Sequence, residues 1–351
     1  MSAAFKVGVT SDILDAKGEP VFGREPLEAL DVPGLEWEWL PKGIREITAE
    51  HAAAYDALYV NSPRVPSAAV ARKDLRLKLV SRHGVGYDSV DVPAMSAAGV
   101  LVCNTPNAVP RPVATMALTY VLALAQRLFA KDRMTREGRW NDRVEHMGMG
   151  LTGRTLGVVG AGRIGKELLR MARVFDLKLL AADPYAEELE LSYIGARKVP
   201  LEQLMAQSDF VVVTCLLNEE TRHLINAPQL ARMKPTAYLI NVARGPVVDE
   251  KALYEVLAAK KIAGAGLDVF EEEPTPASNP ILKLDNVIVS PHALCWTDEL
   301  FGNIAPTAIG AVLSVRAGRR PQFVVDAGAL AHPRVRAWIK SGSEPDKVRK
   351  I

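Results

Sequence analysis

Thr155-Leu156-Gly157-Val158-Val159-Gly160-Ala161-Gly162-Arg163-Ile164-Gly165 decides the fold. Thr155 to Val159 reads as a short buried strand, and Lys166 to Phe175 has a helical pattern. A G-x-G-x-x-G run is weak evidence alone. Between a strand and a helix its physics works. Gly160 permits the tight turn, and Gly162 lets the backbone approach a pyrophosphate. Gly165 allows close packing of helix on strand, and the helix N-terminus stabilises the anion. The next strand, Lys178 to Ala182, ends at Asp183, 18 residues past Gly165. A carboxylate there accepts hydrogen bonds from ribose hydroxyls and repels a 2′-phosphate. We read an NAD site, with NAD preferred over NADP. The competing reading of Asp183 is a turn cap at a strand end.

The same alternation continues outward. Lys6 to Thr10, Ala57 to Val60, Lys78 to Ser81 and Val100 to Cys103 read as strands on the N-terminal side. Asp209 to Val213, Ala237 to Ile240, Gly264 to Leu267 and Val287 to Val289 read as strands on the other. Continuous apolar strands separated by helix-length segments predict parallel sheets covered on both faces. Ten strands exceed one ordinary sheet, so two α/β domains are expected. Asn104 to Pro112, with three prolines in nine residues, marks a boundary. We place residues 1–107 and 296–351 in one domain and 108–295 in the other. The helix from Val113 to about Lys131 is apolar nearly all round and is expected at an interface, a core helix being the plainer alternative. Arg139 to Arg154 reads as a loop, and the 25 residues from Ala327 as a surface appendage.

Composition excludes several classes. The 351 residues are 48% apolar and 24% charged, with 43 basic and 41 acidic side chains and a net charge of +2. That balance gives no electrostatic reason to expect nucleic acid or an anionic membrane. The longest apolar stretch, Val113 to Ala125, is 13 residues, short of the roughly 20 that span a bilayer as a helix. Met1 to Thr10 lacks the pattern of a secretion signal. Cys103, Cys215 and Cys295 are too few and too scattered for a disulfide framework or a structural zinc site. A reduced cytoplasmic setting and no metal are the expectation.

Three polar residues follow the C-terminal ends of strands. Ala237 to Ile240 runs into Asn241-Val242-Ala243-Arg244-Gly245, and Gly264 to Leu267 into Asp268-Val269-Phe270-Glu271-Glu272-Glu273-Pro274. Val287 to Val289 runs into Ser290-Pro291-His292. In open α/β sheets ligands bind at that edge. Arg244, Glu273 and His292 can therefore converge across 48 residues of sequence. The chemistry wants these types. A guanidinium can bind both oxygens of a 2-oxo acid. Reduction of the carbonyl needs a proton on its oxygen, which histidine can supply near neutral pH. A carboxylate on the other ring nitrogen fixes the tautomer and favours the protonated ring.

At these residues the chain resembles the D-isomer-specific 2-hydroxyacid dehydrogenase family. The matching pieces are Gly160 to Gly165, Asn241 to Gly245, Asp268 to Pro274 and Pro291-His292. Gly84-Val85-Gly86-Tyr87-Asp88, Asn104-Thr105-Pro106 and Glu220 to Ile225 match too, so the similarity spans residues 5–326. The resemblance implies a Rossmann-type NAD-binding domain inserted into a flavodoxin-like substrate domain. It implies that Arg244 binds substrate, that Glu273 pairs with His292, and that His292 transfers the proton. It places the substrate-carboxylate amides at Val85 and Gly86. It places cofactor contacts at Arg163, Ile164, Asp183, Cys215, Thr221, Val242, Ala243 and Asp268. It also implies a homodimer through the nucleotide-binding domain and a small 2-oxo or 2-hydroxy acid as the partner molecule.

Several positions depart from the family pattern: Thr115, Thr214-Cys215-Leu216, Ala293-Leu294-Cys295-Trp296 and His83. They leave the reaction type intact and substrate identity open. Trp296 reads either as core packing or as a bulky pocket wall, and His83 as a surface or structural histidine. Hydride transfer needs no thiol from Cys295. His51, His146 and His332 read as surface residues, and Glu271 and Glu272 as solvated neighbours of Glu273. The alternative function is an NAD(H)-sensing, co-repressor-like binding protein of the same fold. Glu273, where formate-type relatives have glutamine, argues against that branch. The 25 residues after Asp326 are too few for the regulatory domain of a phosphoglycerate dehydrogenase.

Overall fold

The computed structural model describes residues 4–340. They divide into two compact units, one of residues 1–109 and 297–351 and the other of 110–296. The outermost residues of the first unit, 1–3 and 341–351, lie outside the described part.

The first unit holds five strands: β1 (Phe5–Val9), β2 (Leu35–Trp39), β3 (Ala57–Val60), β4 (Leu79–Arg82) and β5 (Leu101–Cys103). Their order is β2-β1-β3-β4-β5, every pair parallel. This is the flavodoxin-like order. β3 and β4 are buried at every position, as strands covered on both faces must be. Helix Asp298–Arg316 returns to this unit. Ala308, Ile309, Val312 and Val315 join the core of β1, β3 and β4, and Ser81 donates to the Ala308 carbonyl at 2.8 Å. A fully buried aliphatic side chain of this kind contributes roughly 1.5–3 kcal/mol.

The second unit holds seven strands: β6 (Thr155–Val159), β7 (Lys178–Ala182), β8 (Ala196–Lys198), β9 (Phe210–Val213), β10 (Tyr238–Asn241), β11 (Gly264–Leu267) and β12 (Val287–Val289). Their order is β12-β11-β10-β9-β6-β7-β8, again all parallel. The order reverses between β6 and β9, the switch point beside which a doubly wound sheet binds its ligand. The segments after β6, β7, β9, β10, β11 and β12 all leave the same edge, because the strands run parallel.

Four expectations need correction. Two strands went unread, β2 and β8, and both lie at sheet edges. β2 is Leu-Glu-Trp-Glu-Trp, half-polar because one side is open, and β8 has three residues. The helix expected from Val113 to Lys131 is two helices, Pro110–Ala125 and Leu128–Arg136, bent by 57°, with Arg127 left-handed at φ 53° between them. The first is a core helix of its own unit, with 11 of 16 residues buried. It packs on helix Arg163–Ala172, β10 and β11. Trp140–His146 is a 3-10 helix inside the expected loop.

The expected C-terminal appendage is packed as far as it is described. Ala329 and Val335 are buried in the first unit's core, and Arg334 donates to the carbonyls of Leu75 and Gly99. The rest of that expectation falls on residues 341–351, outside the described part. His51, His146 and His332 are half-buried rather than on the surface. His51 completes a capping box with Thr48, and His332 caps Pro333–Arg336. Among the described residues no single helix is long and apolar enough to cross a membrane.

Candidate active site

In the second unit the glycine loop after β6 fits a dinucleotide. Gly160 is left-handed (φ 92°), and a Cβ there would stand 2.6 Å from the Cys215 backbone. Only glycine satisfies both conditions. A Cβ on Gly165 would meet the Gly160 carbonyl at 2.2 Å, so helix and loop are in contact. At Gly162 it would meet nothing within 4 Å. The loop is therefore open where a phosphate must approach, with the N-terminus of helix Arg163–Ala172 beneath it. Arg163 and Ile164 form that helix's first turn.

Asp183 sits at the end of β7. One carboxylate oxygen accepts from the Ala161 amide at 2.7 Å, the other from Tyr185 at 2.8 Å and Ala186 at 3.2 Å. The turn-cap reading of this residue is seen directly. It caps the turn, and it holds a carboxylate beside the glycine loop. Cys215 packs behind Gly160, and burial pushes its thiol up to about 11. Thr221 donates to the Leu216 carbonyl at 2.6 Å and shapes the loop after β9. Val242 and Ala243 are buried with their amides committed to Val213 and Asn241.

The polar triad forms. His292 Nδ1 and Glu273 Oε2 are 2.8 Å apart, the side chains 43% and 37% exposed. Burial pushes the Glu273 carboxyl up. The hydrogen bond and charge of His292, the Phe270 amide at 2.9 Å and the nearby Arg244 charge outweigh it and hold the group below the usual carboxylate range. Arg244 leaves β10 through a turn that Asn241 pins by donating to the Arg244 carbonyl at 3.0 Å. Gly245 follows because a Cβ there would stand 1.9 Å from the Phe270 carbonyl. The Arg244 and Glu273 segments are pressed together at that point. Glu271 is a structural partner rather than a solvated neighbour. It holds His223 at 2.7 Å, and its backbone donates to Glu250 at 2.9 Å.

His292 is left-handed at φ 54°, a conformation that costs about 1–2 kcal/mol for a residue with a Cβ. Asp268 holds it there. The His292 amide donates to the Asp268 carbonyl at 2.7 Å. The Ala293 and Leu294 amides donate to Asp268 Oδ1, each at 3.1 Å. Asp268 is 1% exposed, and the task its hydrogen bonds show is shaping the histidine turn. Cys295 is half-buried, its thiol pushed up to about 12 by burial and the Asp268 charge. Trp296 is 47% exposed, which removes the core-packing reading.

In the first unit, Val85 and Gly86 follow β4. Gly84 is left-handed (φ 127°). The carbonyls of Gly84, Val85 and Gly86 accept from Thr105, Asn104 and Arg82. Among the described residues the amides of Val85 and Gly86 donate to nothing. Two adjacent unpaired N–H groups are a place for a carboxylate. His83, just before them, is 8% exposed and not a surface residue. It lies 2.5 Å from the Tyr59 hydroxyl and stacks on Phe22. Burial, then the Arg82 charge, pushes it down to about 3. It is a neutral structural residue at working pH.

Residues 118–293 match the family model described as "D-isomer specific 2-hydroxyacid dehydrogenase, NAD binding domain". A glyoxylate reductase of Korarchaeum cryptofilum is 41% identical over 254 residues, covering 72% of this chain and 76% of that protein. The chain belongs to the D-isomer specific 2-hydroxyacid dehydrogenase family. A D-3-phosphoglycerate dehydrogenase of Archaeoglobus fulgidus is 36% identical over 286 residues, 82% of this chain and 54% of the relative, so the chain spans about half the length of that family member. Among solved structures of the family, D-lactate dehydrogenase of Aquifex aeolicus with NAD and lactic acid has a TM-score of 0.78 at 27% identity. It covers 89% of this chain and 96% of that one. As a member, the chain has the two-domain α/β fold with a Rossmann domain for an NAD-type cofactor, and it is a dehydrogenase of the 2-hydroxyacid type.

Of the residues that shape this site, sequence reasoning missed Tyr120, Ser290, Asn241 as a turn pin, and the His223–Glu271 pair. Asn241, Ser290 and His223 stand inside the motifs. Tyr120 had one signal, a hydroxyl on a helix whose other buried residues are all apolar.

Proposed function

We propose that this protein reduces a small 2-oxo acid to the D-2-hydroxy acid with NADH, reversibly. The observation that carries the reading is His292 held against an ionised Glu273 beside Arg244. The guanidinium of Arg244 binds the substrate carboxylate and polarises the carbonyl, and the unpaired amides of Val85 and Gly86 are a further place for a carboxylate. The Gly160–Gly165 loop, Asp183 and Asp268 would hold NADH, with Asp183 for its adenosine ribose, and the cofactor would supply the hydride. His292 gives its Nε2 proton to the carbonyl oxygen, while Glu273 fixes the ring through Nδ1 and stabilises its charge. The co-repressor-like alternative makes no use of this proton-transfer pair.

A panel of glyoxylate, hydroxypyruvate, phosphohydroxypyruvate and larger 2-oxo acids, with NADH and NADPH in parallel, tests the reading by loss of reduced-nicotinamide absorbance. Turnover of at least one acid with NADH is the expected result, and no turnover with any acid overturns it. In the same assay NADH gives the higher kcat/KM. Asp183→Ala narrows that advantage, because it removes both the ribose acceptor and the repulsion of a 2′-phosphate. Equal use of the two cofactors by the wild type sinks the role of Asp183.

We also propose a homodimer through the nucleotide-binding unit. Leu128, Phe129, Trp140, Val144 and Met147, all within 20 residues, are 55–81% exposed, a density of apolar surface that marks interaction sites. Light scattering is expected to give twice the chain mass, reduced toward one by Phe129→Ser with Trp140→Ser.

A further inference from the structure

Tyr120 lies in the middle of helix Pro110–Ala125, 1% exposed. Its ring lies over Gly266 of β11, where an added Cβ would come within 2.5 Å of Tyr120 Cδ1. The bare backbone of Gly266 makes room for the ring. The hydroxyl ends 2.5 Å from Ser290 Oγ, 170 residues away in sequence. Ser290 Oγ in turn donates to Asp268 Oδ1.

The protons along this chain can be placed from the bonds alone. Asp268 Oδ1 already takes two backbone N–H groups, from Ala293 and Leu294. It is an acceptor, so Ser290 donates to it. Ser290 has one proton, now used, so its oxygen must accept from Tyr120. The chain runs one way: Tyr120 O–H to Ser290, Ser290 O–H to Asp268, and Asp268 onto the turn that bears His292. Every member belongs to the second unit. Hydrogen bonds in such a chain polarise one another, and a buried network acts as a unit.

We infer that Tyr120 is a positioning residue for the proposed reaction, acting through Ser290 and Asp268 to hold the His292 turn in its left-handed conformation. The observation behind this is an unbroken hydrogen-bonded path from a buried tyrosine through the Asp268 carboxylate to the backbone amides of Ala293 and Leu294, with the His292 amide on the carbonyl of the same Asp268. A tyrosine kept only for packing would need no partner at the end of β12. Had the turn been stable alone, a histidine at φ 54° would not need three bonds to one carboxyl-bearing residue. The inference rests on His292 being the proton donor. It adds that the donor's placement depends on a helix far from it in sequence.

The test compares Tyr120→Phe, Ser290→Ala, Ser290→Thr and the Tyr120→Phe/Ser290→Ala double variant in the full-length protein. Tyr120→Phe keeps the ring on Gly266 and removes only the hydroxyl. Ser290→Ala is expected to lower kcat about 10- to 100-fold and Tyr120→Phe about three- to tenfold, the scale of a catalytic group displaced by a fraction of an ångström. NADH binding stoichiometry by fluorescence titration and the KM of the 2-oxo acid stay within about twofold of wild type. A loss of folded protein would instead lower the stoichiometry. The double variant is no slower than Ser290→Ala, because both substitutions break one chain. Ser290→Thr, which restores the hydroxyl, recovers most of the loss.

Amide hydrogen exchange is measured on the same variants and does not depend on turnover. The peptide holding Ala293 and Leu294 exchanges faster in Tyr120→Phe. Wild-type kcat in Tyr120→Phe, or losses that multiply in the double variant, overturn the inference. An active wild type with unchanged exchange in Tyr120→Phe does so as well. A wild type that turns over no 2-oxo acid overturns the proposed reaction instead, and the exchange result then decides alone whether Tyr120 holds the turn.

Discussion

His292→Ala lowers kcat/KM for 2-oxo acid reduction by about 10²- to 10⁴-fold, the range for losing a positioned general acid. The cofactor site lies on other segments, the loops after β6 and β7, so NADH affinity measured by fluorescence changes little. Glu273→Gln is the sharper test, because it keeps shape and hydrogen bonding at the 2.8 Å contact and removes only charge. The carboxylate favours the protonated imidazole. Without it, protonation requires lower pH. Reduction uses the protonated ring, so activity is present on the acid side and lost as pH rises. The alkaline limb of the kcat/KM profile therefore moves to lower pH in Glu273→Gln. The loss is mild at low pH and large at high pH. An unmoved limb, or one moved upward, shows that Glu273 does not act on His292 by its charge.

Arg244→Lys raises the KM of the 2-oxo acid and lowers kcat together. Lysine keeps the charge but cannot present two parallel N–H groups to a carboxylate. Hydrogen bonds to a charged group are worth about 1.5–3 kcal/mol, so kcat/KM falls roughly 10- to 150-fold. NADH affinity is expected to hold. A collapse of cofactor binding with substrate KM intact would assign Arg244 to the nucleotide site. Arg244 also contributes to the low Glu273 carboxyl, a contribution that lysine retains in part. The alkaline limb should therefore move less in Arg244→Lys than in Glu273→Gln, which separates substrate clamping from tuning of the proton donor.

These predictions rest on features written in short stretches of sequence. The run from Thr155 to Gly165 specifies strand, turn and helix by local rules, because a glycine at φ 92° and a helix N-terminus need no distant partner to be recognised. Arg244, Glu273 and His292 were legible for a related reason. Each follows a short, mostly apolar strand, and parallel strands deliver their C-terminal ends to one edge. Composition and strand count likewise sufficed for two α/β domains. Local patterns failed where a side chain's partner is remote or where a strand is only half-covered. β2 lies at an edge and alternates Glu with Trp, so it does not look like the interior strands. The break at Arg127 lies in a residue type that gives no warning of a left-handed conformation.

What the sequence alone determined is the fold class, the dinucleotide loop and which three polar side chains the strand ends would carry, all of them set by periodicity and by glycine's freedom at the turn. Tertiary structure alone decided how those side chains are held. The hydroxyl of Tyr120 reaches Ser290 across 170 residues, Asp268 gathers three amides from the His292 turn, and His83 is enclosed by Phe22 and Tyr59. The C-terminal Arg334 finds the Leu75 carbonyl 259 residues back. The physical reason is the same in each case. A hydrogen bond or a ring contact depends on the distance between two groups in space, and that distance is set by sheet order and helix packing, not by separation along the chain.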